Sequence, residues 1–431
     1  MPAPGRRLFY GWVIVAAAWL VMFVSAAAIS SFSVFAPELE GEFGWTRGML
    51  SLGFTINALT MSVFGLAAGM LVDRIGLRRT VIIGAVIGGL GIALLSQINQ
   101  IWHFHLLYGV LASSGIALCF IVPTVATVRR WFMRRAALAI SIAMTGSGLG
   151  MVILLPLIHR IIVAIGWRDS YIALGLIMVV GAVIGASLLK KDPESAGTYP
   201  DGIKPEADEL EARADFLART EKWTVREAFR TSSWWFLVFS QFFNIAVVGI
   251  IGHIVFWGGD LEIPRGDAVS ILSFFVLAAV AGRLFGGFFS DWLMARFGIS
   301  RKPILYFCTI GVALGCFLAM GVNSETELLL VSLLIGFCYG SGLSVFPTYL
   351  GDLFGVVSLP MLFGVMFLLA GGLFSAIGPV LYGFIHDTQG SYDTAFLVTA
   401  ILCLISAVSL FLIRAPVKAT GAQTDVTQID R

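Results

Sequence analysis

GMLVDRIGLRR at residues 69–79 returns, slightly lengthened, as GFFSDWLMARFGISRK at residues 287–302. Each copy places a glycine, Gly69 or Gly287, four residues ahead of an aspartate, Asp73 or Asp291. A second glycine and a basic pair follow, Arg78 with Arg79 or Arg301 with Lys302. Each copy also closes an apolar run long enough to cross a bilayer. A charged turn repeated after such a run marks an internal duplication, and the rest of the chain is read in that frame.

The apolar runs continue on both sides of these turns. Of the 431 residues, 58% are hydrophobic and 13% charged, with a mean hydropathy of +0.91. That is far more apolar than a water-soluble core of this length needs. About 20 apolar residues in a helix cover the roughly 30 Å of hydrocarbon in a membrane. Twelve stretches meet that length: 9–36, 46–72, 79–97, 101–128, 135–163, 168–189, 231–258, 266–289, 303–322, 327–353, 360–386 and 392–414. The fold class is therefore an all-α membrane protein, with twelve transmembrane helices in two pseudo-symmetric six-helix bundles. Residues 1–189 form the first bundle, 190–230 a polar linker rich in Pro and Gly, 231–416 the second bundle and 417–431 a tail. Within the linker, Thr224 and Glu227 have capping-box spacing with Phe229 beyond, which predicts a short interfacial helix.

Charge sets the orientation. Of the 28 Lys and Arg, 23 fall on the ends that share a side with the N-terminus, among them Arg6, Arg7, Arg74, Arg78, Arg79 and the 129–135 cluster. The opposite ends carry Arg47, Arg160, Arg168 and Arg265, with Glu38, Glu40, Glu42, Asp260, Glu262 and Asp267 gathered there. The positive-inside rule predicts cytoplasmic termini in a multi-pass cell (inner) membrane protein. The first apolar run is too long for a cleavable signal and is expected to stay. The five cysteines have no paired spacing and read as packing residues. No phosphate loop, metal-spaced cluster or nucleophile arrangement stands out, so neither an enzyme nor a cofactor is expected. Basic residues lining a membrane face give no support for nucleic acid.

Two six-helix halves carrying a repeated Gly-x-x-x-Asp turn resemble the major facilitator superfamily. The resemblance implies two bundles rocking about a site near mid-membrane. RRWFMRRAALAISIAMTGSGLG, residues 129–150, further resembles a monocarboxylate transporter signature in Trp131, Phe132, Arg134, Arg135, Ala137, Leu138, Ala139, Gly146, Ser147 and Gly150. Asp352, Leu353, Phe354 and Gly355, followed by Gly378, Pro379, Gly383, Asp387, Gly390 and Tyr392, resemble it again. The linker end, WTVREAFRTSSWW, looks more like bacterial members of that family than animal ones.

Asp73 and Asp291 end helices two and eight, where the helix dipole disfavours an anion. The N-termini of helices eleven and five could compensate them, and Arg134 and Arg135 lie at the latter. Asp73, Arg74, Asp291, Arg134 and Arg135 are therefore the gating candidates. One span contains a charge at depth. Arg283, in helix eight, lies eight residues before Asp291, about 12 Å in from that end. An Arg there costs at least ~2.5 kcal/mol without an anionic partner or a wet cavity. A substrate carboxylate, which guanidinium binds bidentately, suits it. The resemblance points the same way, since monocarboxylate transporters place an essential Arg in helix eight. Two departures question the animal proton-relay scheme: Ser30 stands where several relatives have Lys, and Ala279 where several have Asp. In helix eleven, where dicarboxylate exchangers carry a second cation, this chain has the apolar run Phe367 to Ala370. One buried cation favours a monoanion.

Taking an anion into a cell that is negative inside costs about 2.3 kcal/mol per 100 mV, so uptake wants a proton or a counter-anion. His253, in the outer half of helix seven, and Asp260 beyond it are the proton-coupling candidates. His103, His105 and His386 lie near interfaces, where solvated roles suffice. Asn57, Asn244, Tyr339 and Tyr382 are further pocket candidates, with Phe120, Ser147, Phe346 and Phe374 as shape-setting walls. The sequence thus predicts a monomeric secondary transporter for lactate- or pyruvate-like monocarboxylates, in proton symport by alternating access. An exchanger of the oxalate/formate type, a drug exporter or a non-transporting ligand sensor on the same fold are the alternatives.

Overall fold

The computed structural model describes residues 9–45, 47–203 and 223–416. Arg6, Arg7, the linker's basic residues from 204 to 222 and the tail from 417 lie outside the described residues. Among the described residues, twelve helices are long and apolar enough to span a membrane. In chain order, helices one to six are Tyr10–Phe43, Leu52–Ile75, Leu77–Gln97, Ile101–Trp131, Ala136–Ile165 and Trp167–Leu188. Helices seven to twelve are Ser232–Asp260, Gly266–Phe297, Lys302–Ala319, Glu325–Phe354, Leu359–Gln389 and Asp393–Leu412.

Two of them outrun their apolar sequence. Helix one continues past 36 through Pro37 to Phe43 and stops at Gly44, whose φ of 65° closes the helix. Helix eight continues past 289 to Phe297, and Gly298, also at φ 65°, ends it. At both ends the apolar run gives out first, and the helix stops at a glycine that adopts the left-handed region.

In lipid, helices are held together by close packing rather than by a hydrophobic drive, and small residues permit it. A Cβ on Gly146 or Gly150 of helix five would lie 2.4 or 2.1 Å from the carbonyl oxygens of Trp19 or Phe23 in helix one. The duplicated seam joins helices eleven and seven, where a Cβ on Gly378 would lie 2.3 Å from the Ile245 carbonyl oxygen. Gly282 and Gly340 likewise bring helices eight and ten together.

The halves meet along two related seams. Helix two packs on helix eleven through Gly65 against Phe367, Gly69 against the Pro360 carbonyl, and Ser62 against Gly372. Helix five packs on helix eight through Ser141 and Ala137 against Gly287, and through Gly148 against Val280. Both seams start at the arginine-rich ends, called the basic end below, and run to about mid-helix.

Helix four is not continuous. It carries a π-helical stretch at His105–Ala112 and breaks at Phe120, with φ −82° and ψ −124°. Helix eleven has its π-helical stretch at Phe367–Phe374, on the cross-half seam. Both described ends of the linker are anchored. Asp201 accepts the amide hydrogens of Met133 and Arg134 at 2.9 Å each. The Trp223 amide donates to Ser358 Oγ at 2.8 Å, and its ring meets Phe354 edge-on. The capping box at Thr224 and Glu227 forms and starts the short helix Val225–Phe229.

Candidate substrate site and gate

Helix ten fixes the backbone around Arg283. Ser341 Oγ donates to the Gly282 carbonyl at 2.8 Å and Ser344 Oγ to the Arg283 carbonyl at 3.1 Å. The Arg283 side chain then reaches into the other half. Its Nη1 donates to the Met144 carbonyl at 2.9 Å and to Ser147 Oγ at 3.0 Å, both on helix five. Its Nε is buried and has no partner among the described residues. The same is true of Arg129 and Arg301, but those two face carboxylates and Arg283 is bonded to no carboxylate among the described residues. Buried guanidinium hydrogens are rarely left unmade, because each costs about 1–3 kcal/mol or more. Tyr339 lies within electrostatic range of the same guanidinium, its ring edge-on to Phe243 at 6.1 Å. Arg283 and Ser147 are therefore brought together from helices eight and five, with Tyr339 of helix ten within electrostatic range.

The other pocket candidates divide. Phe120 sits at the break in helix four, partly exposed, and Phe374, also partly exposed, meets Phe242 edge-on at 5.0 Å. Four more are buried and turned into the bundles, away from Arg283. Asn57 is spent on Ser113. Asn244 donates to the Gln241 carbonyl at 3.0 Å and side-chain oxygen at 3.2 Å. The Tyr382 hydroxyl bonds Thr399 Oγ1 at 2.9 Å, and Phe346 is buried beside Phe243 and Cys308. Polar groups bathed in lipid find partners inside their own bundle, and sequence does not show which way they turn.

At the basic end, Asp291 accepts the amide hydrogens of Ala137 at 3.3 Å and Leu138 at 2.9 Å, in the first turn of helix five. Arg301 Nη2 lies 2.7 Å from Asp291 Oδ1. Arg301 Nη1 pairs with Asp352, and Asp352 Oδ1 lies 2.7 Å from Arg129 Nη2. From the amides of helix five, charges thus alternate through Asp291 of helix eight, Arg301 at the start of helix nine and Asp352 of helix ten to Arg129 of helix four. The guanidinium partner of Asp291 is Arg301; the Arg134 and Arg135 side chains are exposed, and helix five contributes amides instead. Burial alone disfavours the charged form of Arg301, but Asp352 and Asp291 outweigh it and raise its pKa. The companion Asp73 pairs with Arg130 at 3.8 Å within its own half. Asp73 and Arg74 line a cleft of about 410 Å³ with Trp223, Val225 and Met361. The repeat had already marked the basic pair containing Arg301; nothing in the sequence tied it to Asp352 or Arg129.

His253 makes two bonds, Nδ1 to the Tyr392 hydroxyl at 3.1 Å and Nε2 to the Pro379 carbonyl at 3.0 Å. Asp260 does not join it. Its partner is His386, whose Nε2 is 3.1 Å from Asp260 Oδ2.

The architecture, duplicated turns and cross-half seams can be set beside known proteins. The family model described as Major Facilitator Superfamily matches residues 18–297 and 234–429. The chain belongs to that superfamily. It is a multi-pass membrane transporter and not an enzyme. Monocarboxylate transporter 12 of Rattus norvegicus is 25% identical over 418 residues, covering 93% of this chain and 85% of that protein. Monocarboxylate transporter 1 of Homo sapiens is 24% identical over 442 residues, covering 94% and 84%. Among solved structures, the proton:xylose symporter XylE superposes with a TM-score of 0.75 at 12% identity, over 93% of this chain and 95% of that one. The E. coli fucose:proton symporter FucP gives 0.68 at 17%, over 95% and 100%. The resemblance to monocarboxylate transporters read from residues 129–150 is thus matched along nearly the whole chain.

Proposed function

We propose that this transporter carries small monocarboxylates, lactate- or pyruvate-like, by alternating access with net uptake coupled to protons. The observation that carries the reading is Arg283. Nη1 is committed to helix five while Nε stays buried and unpaired. A carboxylate meeting the Nε and Nη2 edge side-on would make two parallel charge-assisted bonds and satisfy that nitrogen. The apolar Phe367–Phe374 stretch of helix eleven offers no second cation, which suits a single carboxylate. Ser147 and Tyr339 lie within reach of the bound anion, and Phe120 and Phe374 limit its length. The similarity to monocarboxylate transporters supports the substrate class.

In this reading residues 1–189 and 231–416 are the rocking bodies, 190–230 ties them and 417–431 is a tail. The basic end faces the cytoplasm of a cell (inner) membrane, and one monomer is the working unit. Asp291 on helix five and the helix two–eleven seam then hold an outward-facing state. Asp73 and Arg74 line the matching cleft beside the linker. His253 and Asp260 belong to the half where proton coupling is placed, which compensates the cost of importing an anion.

Counterflow in proteoliposomes tests the substrate class. Vesicles loaded with unlabelled L-lactate should take up labelled lactate and pyruvate, and dicarboxylates should neither exchange nor compete. Exchange of dicarboxylates or neutral sugars in the absence of monocarboxylate exchange overturns it.

A further inference from the structure

Far from the basic end, the second half gathers ionisable side chains that the Arg283 site does not use. We infer that the His386–Asp260 pair is a proton-binding site, and that Tyr392 and His253 carry its state into the packing of helix eleven against helix seven. The transport consequence rests on the proton-coupled reading above; the wiring itself does not.

Three helices supply the cluster. Asp260 is the last residue of helix seven, His386 lies in the final turn of helix eleven, and Tyr392 directly precedes helix twelve. His386 and Asp260 are 3.1 Å apart, with side-chain exposures of 30% and 47%, so water reaches both. The His386 ring lies over the ring of Tyr392, 4.5 Å between centroids and 27° from parallel. Tyr392 is otherwise buried and bonds His253, which bonds Pro379 of helix eleven.

The direction of each bond follows from the chemistry. A proline carbonyl only accepts, so His253 Nε2 carries the hydrogen and Nδ1 is left as the acceptor for the Tyr392 O–H. Burial first, then the Asp260 and Asp387 carboxylates, push the Tyr392 hydroxyl up to about 12, so it stays a donor. Neutral His253 is therefore fully satisfied, and a proton on its Nδ1 would displace its Tyr392 donor. His386 differs. Its Nε2–H meets a carboxylate, and its Nδ1 makes no hydrogen bond among the described residues.

A proton arriving from the water adds to His386 Nδ1, with no other bond formed or broken. The imidazolium then faces Asp260 across 3.1 Å and lies against the Tyr392 ring, an ion pair and a cation–π contact together. The charged or titratable groups facing it are Asp260 and His253 from helix seven, Asp387 on its own helix, and Tyr392 before helix twelve. An imidazolium at His386 and a second at His253 would repel each other, so the cluster takes one proton. A cation over the phenol ring strengthens its O–H as a donor. That tightens the Tyr392–His253–Pro379 chain across the helix seven–eleven seam. Helix eleven also carries Phe367 and Gly372, which meet helix two across the halves, so the proton acts on an element that moves between states.

Two measurements test this. In proteoliposomes, an inward gradient of one pH unit should drive about tenfold accumulation of labelled monocarboxylate in a one-to-one symport, because one unit is about 1.4 kcal/mol. His386→Gln should bring accumulation down to about equilibration while counterflow, which needs no net proton movement, stays within about twofold. Accumulation equal to wild type in His386→Gln overturns the inference. The second measurement needs no substrate. In 15N-histidine-labelled protein, acidification from about pH 8 to about pH 5.5 spans the ordinary histidine range and should move the His253 ring resonances. His386→Gln and Tyr392→Phe should abolish that response. An unchanged response in His386→Gln refutes the wiring. If wild type exchanges no monocarboxylate, the carboxylate reading fails, and the resonance measurement still decides this one.

Discussion

Replacing Asp291 by Asn removes the charge that ties helix eight to the first turn of helix five, and its effect on the gate can be worked through. The Asp291–Arg301 pair lies within the second half, so rocking of one half against the other does not require it to break. The bonds to the Ala137 and Leu138 amides cross the halves and must break when the basic end opens. Hydrogen bonds to a charged group are worth about 1.5–3 kcal/mol each, against about 0.5–1.5 for neutral ones. The Asn oxygen can keep one of the two as a neutral bond. Adding the lost favourable field of the helix N-terminus, about 0.3–1 kcal/mol, the closed state loses at least about 2 kcal/mol, or at least about 30-fold in population. Arg301 retains Asp352, so the fold is spared the full cost, about 3–5 kcal/mol, of an orphaned buried charge. Spin labels at Met133 and Phe297, both exposed at the basic end of opposite halves, report the gap by pulsed electron spin resonance in a cysteine-free background. Wild type should give a short, narrow distance and Asp291→Asn a second, longer population. An unchanged distribution in a well-folded variant refutes the assignment of Asp291 to the gate.

Gly69→Ala places a methyl 2.4 Å from the Pro360 carbonyl oxygen, which is backbone and cannot yield. Overpacking of about 1–3 kcal/mol should open the basic end and slow transport about fivefold or more; wild-type turnover would contradict it. Tyr382→Phe loses only the Thr399 bond, about 1 kcal/mol, so thermal stability should fall by a few degrees with KM unmoved. A raised KM would put Tyr382 back in the pocket. Trp223→Ala removes a ring packed on Phe354 and should cost about 3 kcal/mol. Limited proteolysis of the linker should accelerate, and an unchanged cleavage rate contradicts the anchor.

Much of the fold was legible because lipid demands long apolar helices, and the duplicated turn at Asp73 and Asp291 told where the halves begin to correspond. The misjudged helix ends have one cause. Glu38 to Phe43 and Asp291 to Phe297 interleave charged with apolar residues past the continuous apolar run, so the apolar run ends at a charge while the helix goes on. Arg283 stood out because a lone charge at depth has few permissible explanations. Partners were harder. Asn57, Asn244 and Tyr382 are polar residues in spanning helices just as Ser147 and Tyr339 are, and only rotation about the helix axis separates packing from pocket. Arg301 and Asp352 look like ordinary loop and helix-end charges in the sequence because their pairing joins the start of helix nine to the end of helix ten. Nearness in sequence groups Asp260 with His253, whereas the fold hands it to His386.

Uptake of labelled L-lactate into proteoliposomes under an inward proton gradient, with wild type, Arg283→Ala and Arg283→Lys in parallel, addresses the carboxylate clamp most directly. Losing two parallel charge-assisted bonds, about 3 kcal/mol or more, should lower kcat/KM by about 100-fold or more in Arg283→Ala. Lysine keeps the charge but not the fork and should recover only part of it. Accumulation in Arg283→Ala comparable to wild type would contradict the account.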